Sequence, residues 1–238
     1  MTPSAMAPRP DQIDALTRGL RLPLPAVDAV YLEIIAENLY RAFYEIRANH
    51  PSVVTTGKEA EITALLEARL NALIEQDPFW SQLVLCAVRG KESLSFDGSY
   101  LEKRPDLSIF LSSRTRNFPL VVEAKILDSA TSKTTTLYCD QGLCRFLTGE
   151  YAWASQEAFM LGYVRDGSSI TGQLTPLLVK DIAQASPRYA VQMLPISTGV
   201  RAVRDLACSR HARSFVYIHQ APPAQQPGPM TVWHLWLP

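Results

Sequence analysis

The sequence predicts an α/β fold, a mixed β-sheet core flanked by helices and led by an N-terminal helical extension. Three observations predict it. Two long stretches, residues 26–49 and 58–76, carry apolar residues at helical spacing. Short apolar runs follow at 83–88, 106–111 and 118–127, separated by polar turns. Helix and strand patterns then alternate to the end of the chain, the order that layers helices on a sheet. Residues 1–50 read as a helical arm packed on the core, and 51–238 as one globular unit.

The elements follow in order. A short helix at 11–20 is stopped by Pro23 and Pro25. The stripe of Val30, Ile34, Ile35, Leu39 and Phe43 makes 26–49 an amphipathic helix that ends before Pro51. Thr55 and Thr56 can cap the next helix, 58–76, whose stripe is Ile62, Leu65, Leu66, Leu70 and Leu73; Pro78 closes it. Residues 83–88 are a short strand, 90–100 a polar turn and an edge strand, and 106–111 a further strand. A turn at 112–117 leads into 118–127, the most apolar strand and hence the expected centre of the sheet. A Ser/Thr/Lys linker at 129–136 precedes a helix at 138–148. Residues 158–164 form a strand, and 170–184 a helix weakened by Pro176. Two last strands, 213–219 and 231–237, pair as a hairpin across the Pro/Gln loop 222–229.

Composition narrows the function. Hydrophobic residues make up 47% and charged residues 19%, as in ordinary globular proteins. No run of about 18 apolar residues occurs, so no membrane association is expected. The first residues lack a basic-then-apolar signal pattern, so the expected compartment is cytoplasmic. The formal net charge of zero argues against bulk attraction to nucleic acid. The cations are nonetheless 17 Arg and 6 Lys, and Arg is the better fork for phosphate. The four cysteines form no C-x-x-C pair, which points to reduced structural thiols and away from zinc.

The chemistry concentrates between Arg104 and Leu127. Asp106 opens one strand behind Pro105, which suits a first strand position because no ladder N–H is needed there. Glu123 and Lys125 lie two residues apart in the next strand, so they share a face at roughly 6.5–7 Å. Charges rising from the apolar run of Val121, Val122, Ile126 and Leu127 are costly unless paired or bound to metal. Two carboxylates and the Ala124 carbonyl are the hard oxygen donors that Mg2+ takes. Lys125 beside them can stabilise charge developing on a phosphate. The bland alternative is a surface ion pair on an edge strand.

Pro105-Asp106 and Glu123-Ala124-Lys125 resemble the PD-(D/E)xK nuclease superfamily, whose fold is restriction-endonuclease-like, over roughly residues 57–165. That resemblance implies a Mg2+-dependent nuclease, with Mn2+ able to substitute, in which Asp106 and Glu123 hold the metal and Lys125 is the catalytic lysine. It also implies a helix carboxylate at the metal, here Glu59 or Glu61; Glu59 flanks the buried stripe more closely. The helix after the catalytic strand often supplies polar groups in that superfamily. Gln141 would then orient water, and Arg145, four residues on, would bind the nucleic-acid backbone, with Arg104 a second contact. DNA is the expected partner, in a restriction or anti-phage setting, with a homodimer or partner protein supplying DNA affinity. Two rivals stand beside this: a non-catalytic regulatory subunit of the same fold, and an RNA-directed nuclease. His211 and Arg213 read as a phosphate-facing pair or a satisfied polar contact, and His234 as an outward strand residue.

Overall fold

The computed structural model describes residues 9–99, 103–200, 202–217 and 226–238. Helix α1 (Pro10–Thr17) starts on proline, where a missing N–H costs nothing. Helix α2 (Ala29–Asn49) is capped by Asp28, whose carboxylate accepts from the Val30 amide. Thr55 and Thr56 end a separate short helix, α3 (Pro51–Thr56), rather than capping the next one, α4 (Glu59–Gln76). Pro78 both closes α4 and opens α5 (Pro78–Leu83), with Asp77 accepting from the Phe79 and Trp80 amides.

Seven strands follow: β1 (Val84–Val88), β2 (Leu107–Leu111), β3 (Leu120–Leu127), β4 (Glu157–Val164), β5 (Val191–Ser197), β6 (Leu206–His211) and β7 (Met230–Leu237). They form one mixed sheet in the order β1-β2-β3-β4-β7-β6-β5. The pairs β3/β4 and β4/β7 are parallel and the remaining pairs antiparallel. Between β3 and β4, α6 (Thr135–Tyr138), a π-helical turn (Cys139–Leu143) and α7 (Cys144–Leu147) run on as one helix. A second π-helical turn (Ile170–Leu174) leads into α8 (Thr175–Ile182), with Pro176 in its first turn.

Strand alternation divides the core. Val122, Ala124, Ile126, Phe159, Leu161, Trp233 and Leu235 point to one face, where α2 and α4 cover them in a single apolar cluster. Val121, Leu127, Met160, Val232 and Trp236 point to the other, under the helix over 135–147 and α8. A third cluster holds α1 against the molecule: Ile13, Leu22 and Leu24 meet Phe118, Trp153 and Phe215. The chain between α1 and α2 is also stitched to the start of β4. Leu24 donates its amide to Ala154 O at 2.8 Å and accepts from Gln156 at 2.7 Å. The buried pair Arg114–Glu157, at 2.9 Å, lies beside it, and Glu157 also accepts from the Val27 amide.

Two further expectations need correction. Residues 90–99 form no edge strand: Asp97 gathers the Ser95 hydroxyl and the Ser99 amide and hydroxyl into a tight turn, leaving one isolated bridge, Ser93 to Lys103. The strand expected at 213–219 lies earlier, at β6, because Arg213 leaves the ladder to donate to the Trp153, Ser155, Pro227 and Gly228 carbonyls. Edge strand β5 was not expected: it carries Pro195 and has no fully buried residue. Residues 1–8 of the arm, Tyr100, residues 218–219 and residues 222–225 of the Pro/Gln loop lie outside the described residues.

His211 and His234 are fully buried, in a polar chain that explains why β6 reads as a polar turn. The Tyr189 carbonyl, which only accepts, lies 2.7 Å from His211 Nδ1 and so places the proton there. Neutral His211 Nε2 then accepts from Ser209 Oγ, Ser209 accepts from His234 Nε2, and His234 Nδ1 accepts from the Tyr138 hydroxyl, whose proton it shares with the Met160 carbonyl. Every ring nitrogen is used with both imidazoles neutral. Burial pushes His211 down to about 4, and burial followed by the charge of His211 pushes His234 down further. Between pH 6.5 and about 4 the unfolded chain therefore binds more protons at His211, and stability from this group is lost as pH falls. Glu123, shifted the other way, works against this in bulk unfolding, so ring NMR is the cleaner readout. The His211 and His234 ring signals should hold neutral values from pH 7.5 down to 5; titration near 6.5 would show the chain to be open to water.

Candidate active site

Strand β3 runs past the end of β2. Their last pair is Leu107 with Val122, so residues 123–127 have β4 on one side and no strand on the other. The free amides on that side need acceptors. Asp106, one residue before β2, accepts from Ala124 N at 2.8 Å. Glu59, in the first turn of α4, accepts from Ile126 N at 2.9 Å. The overhanging backbone thus draws two carboxylates, from elements far apart in sequence, to one place.

Glu123 and Lys125 rise from the same stretch toward the helix over 135–147. The Lys125 ammonium lies 2.8 Å from Glu123 Oε1, 2.7 Å from Ala124 O, 3.5 Å from Glu59 Oε1 and 3.6 Å from Asp106 Oδ2. It sits among four oxygens from three elements. Arg145, on α7, reaches Glu123 Oε1 at 2.9 Å. The helix lies close to the sheet here: a Cβ built on Gly142 would lie 2.4 Å from the tip of the Met160 side chain and 3.6 Å from Glu123 Cγ. Arg145 also bonds the Tyr151 hydroxyl at 3.0 Å, which donates to the Arg104 carbonyl at 2.9 Å.

The Glu123 side chain is 1% exposed, and its Oε2 has no hydrogen-bond partner among the described residues. Burial, then the neighbouring Asp106 charge, pushes its carboxyl up to about 7, with Lys125 and Arg145 partly offsetting them. Burial, partly offset by Lys125 and reinforced by Asp106, also raises Glu59. Burial pulls Lys125 down, but the charges of Glu123, Asp106 and Glu59 outweigh it and the net shift is upward. Arg145 behaves the same way, with Glu123 outweighing burial.

Of the expected residues, the fold brings together Asp106, Glu123, Lys125, Glu59 and Arg145. It does not bring in the rest. Glu61 closes the start of its own helix, accepting from Lys58 N at 2.6 Å. Gln141 is exposed on the π-helical turn and makes no side-chain hydrogen bond among the described residues. The Arg104 guanidinium, 59% exposed, pairs with Glu92. Tyr151 belongs to the cluster without having been foreseen, since a lone tyrosine in a loop carries no sequence signal. Among the described residues, no group of three or more His, Cys, Asp or Glu side chains is already arranged to hold a metal. The ammonium of Lys125 stands between the carboxylates that would do so.

Lys125→Met should leave Glu123 buried beside Arg145 alone and lower unfolding stability by about 3 kcal/mol at pH 8.5. The loss should shrink toward pH 6, because a carboxyl with a raised folded pKa takes up a proton there and sheds its buried charge. Adding Glu123→Gln should recover much of the loss, a coupling on the order of 1–3 kcal/mol in denaturant unfolding. Additive losses would mean that the two groups do not support each other. No family model, curated protein or solved structure matches this chain.

Proposed function

We propose that the chain is a divalent-metal-dependent nuclease that hydrolyses phosphodiester bonds in DNA. The observation that carries this reading is the convergence of Glu59, Asp106, Glu123 and the Ala124 carbonyl on one cationic position, with Glu123 Oε2 buried and unpartnered. A buried carboxylate oxygen without a donor is costly and suits a cation ligand. The donor set is all hard oxygen, which fits Mg2+, with Mn2+ able to substitute.

Glu59, Asp106, Glu123 and the Ala124 carbonyl would hold the ion. When bound, it supplies charge neutralisation at the phosphate and acidifies a water. The ammonium of Lys125 now neutralises these oxygens; once displaced it needs a new acceptor, and a scissile phosphate oxygen is one. Arg145 is 33% exposed and anchored by Tyr151, so it can turn a guanidinium edge to a second phosphate oxygen while still orienting Glu123. Each cation then acts where negative charge grows during attack.

Asp106→Asn and Glu123→Gln should each lower Mg2+-dependent plasmid degradation at least a hundredfold while leaving the thermal unfolding midpoint within a few degrees. Undiminished cleavage in both would reject the site. If the wild type cleaves no DNA or RNA with Mg2+ or Mn2+ and binds neither ion, the ion cluster is structural.

A further inference from the structure

A pocket of about 240 Å3 lies on the face of the sheet from which Glu123 rises. Its floor is Val121 on β3 and Ser108 on β2, which are register partners and point to the same face. Val121 stands two residues before Glu123 on that face, roughly 6.5–7 Å along the strand. Pro105, immediately before Asp106, also lines the pocket. Phe118 and Trp153 form a fixed aromatic wall, edge to face at 5.1 Å, with the indole N–H held by the Leu94 carbonyl. The loop that carries Tyr151 to Arg145 continues directly into this wall through Ala152 and Trp153.

Ser108 is the feature that points to a ligand. It is 1% exposed as a residue, lines the pocket, and its hydroxyl makes no hydrogen bond among the described residues. A hydroxyl that opens on a pocket can exchange a bound water for the polar edge of a ligand. Pockets for drug-sized ligands run to about 300–1,000 Å3, so this one suits a single planar ring system with one or two polar edges. Across one sugar, a nucleotide's base and phosphate are separated by the same order of distance as Val121 and Glu123.

We propose that this pocket takes one nucleobase of the substrate strand, against Phe118 and Trp153 with its polar edge on the Ser108 hydroxyl, while the adjoining phosphate lies at the carboxylate cluster. This rests on the nuclease reading and adds the substrate class to it. A base inside a recessed pocket cannot be stacked in a duplex, so the preferred substrate is an unpaired strand.

The test compares Mn2+-dependent cleavage of a single-stranded oligonucleotide, its blunt duplex, and the same strand with tetrahydrofuran abasic residues. Calorimetry with dAMP and dCMP provides a second readout. The intact single strand should be cut at least tenfold faster than the other two. Ser108→Val and Leu94→Trp, both checked for folding, should pull that rate toward the abasic one, and Ser108→Val should weaken nucleotide binding about fivefold, one hydrogen bond's worth. Equal cleavage of all three substrates, or pocket variants indistinguishable from wild type, overturns the base pocket and leaves the nuclease reading standing. Nucleotide binding that Ser108→Val weakens, with no cleavage of any substrate, keeps the pocket and removes the nuclease. Neither binding nor cleavage removes both.

Discussion

The overhang of β3 beyond β2 is the constraint on which the rest depends. A parallel neighbour holds one side of residues 123–127, and nothing in the sheet holds the other. Unpaired amides inside a protein must find acceptors. Here the acceptors are the carboxylates of Asp106 and Glu59, so the cluster arises where a strand has lost its partner. The same geometry turns the Ala124 carbonyl toward the carboxylates, where Lys125 reaches it.

Charge then follows from burial. Three carboxylates cannot share so small a volume unneutralised, and two cations from different elements enter it. Lys125 comes from β3 itself. Arg145 comes from α7 in the overlying helix, which lies close to the sheet at Gly142. Two other buried polar groupings are closed among themselves. The Tyr138–His234–Ser209–His211 chain ends on a carbonyl with no ring nitrogen spare, and Arg213 spends its donors on four backbone carbonyls. Glu123 Oε2 is left open, and the Ser108 hydroxyl faces a pocket on the same side of the adjacent strand.

The layered α/β order was legible, because alternating strands and striped helices leave a periodic trace. Asp106, Glu123 and Lys125 were legible for the same reason: charges in an apolar strand break its pattern. Glu59 and Glu61 were not separable with certainty, since helical spacing alone does not reveal that Glu61 turns back to its own helix end. Gln141 and Arg145 looked equivalent at a four-residue spacing; the π-helical turn beneath Gln141 has no clear sequence signature. β6 was missed because Ser209, Arg210 and His211 break an apolar strand pattern, whereas Ser209 and His211 satisfy each other inside the sheet. Phe215 and Tyr217 read as strand residues yet serve the aromatic cluster over Trp153.

The central claim is that Lys125 occupies a position the surrounding oxygens can yield to a divalent cation. Anomalous diffraction from crystals soaked in Mn2+ addresses it directly. The account predicts one manganese peak among Glu59, Asp106, Glu123 and the Ala124 carbonyl, with the Lys125 ammonium turned away. Crystals that show no peak there, with Lys125 still bonded to Glu123 and Ala124, would contradict it.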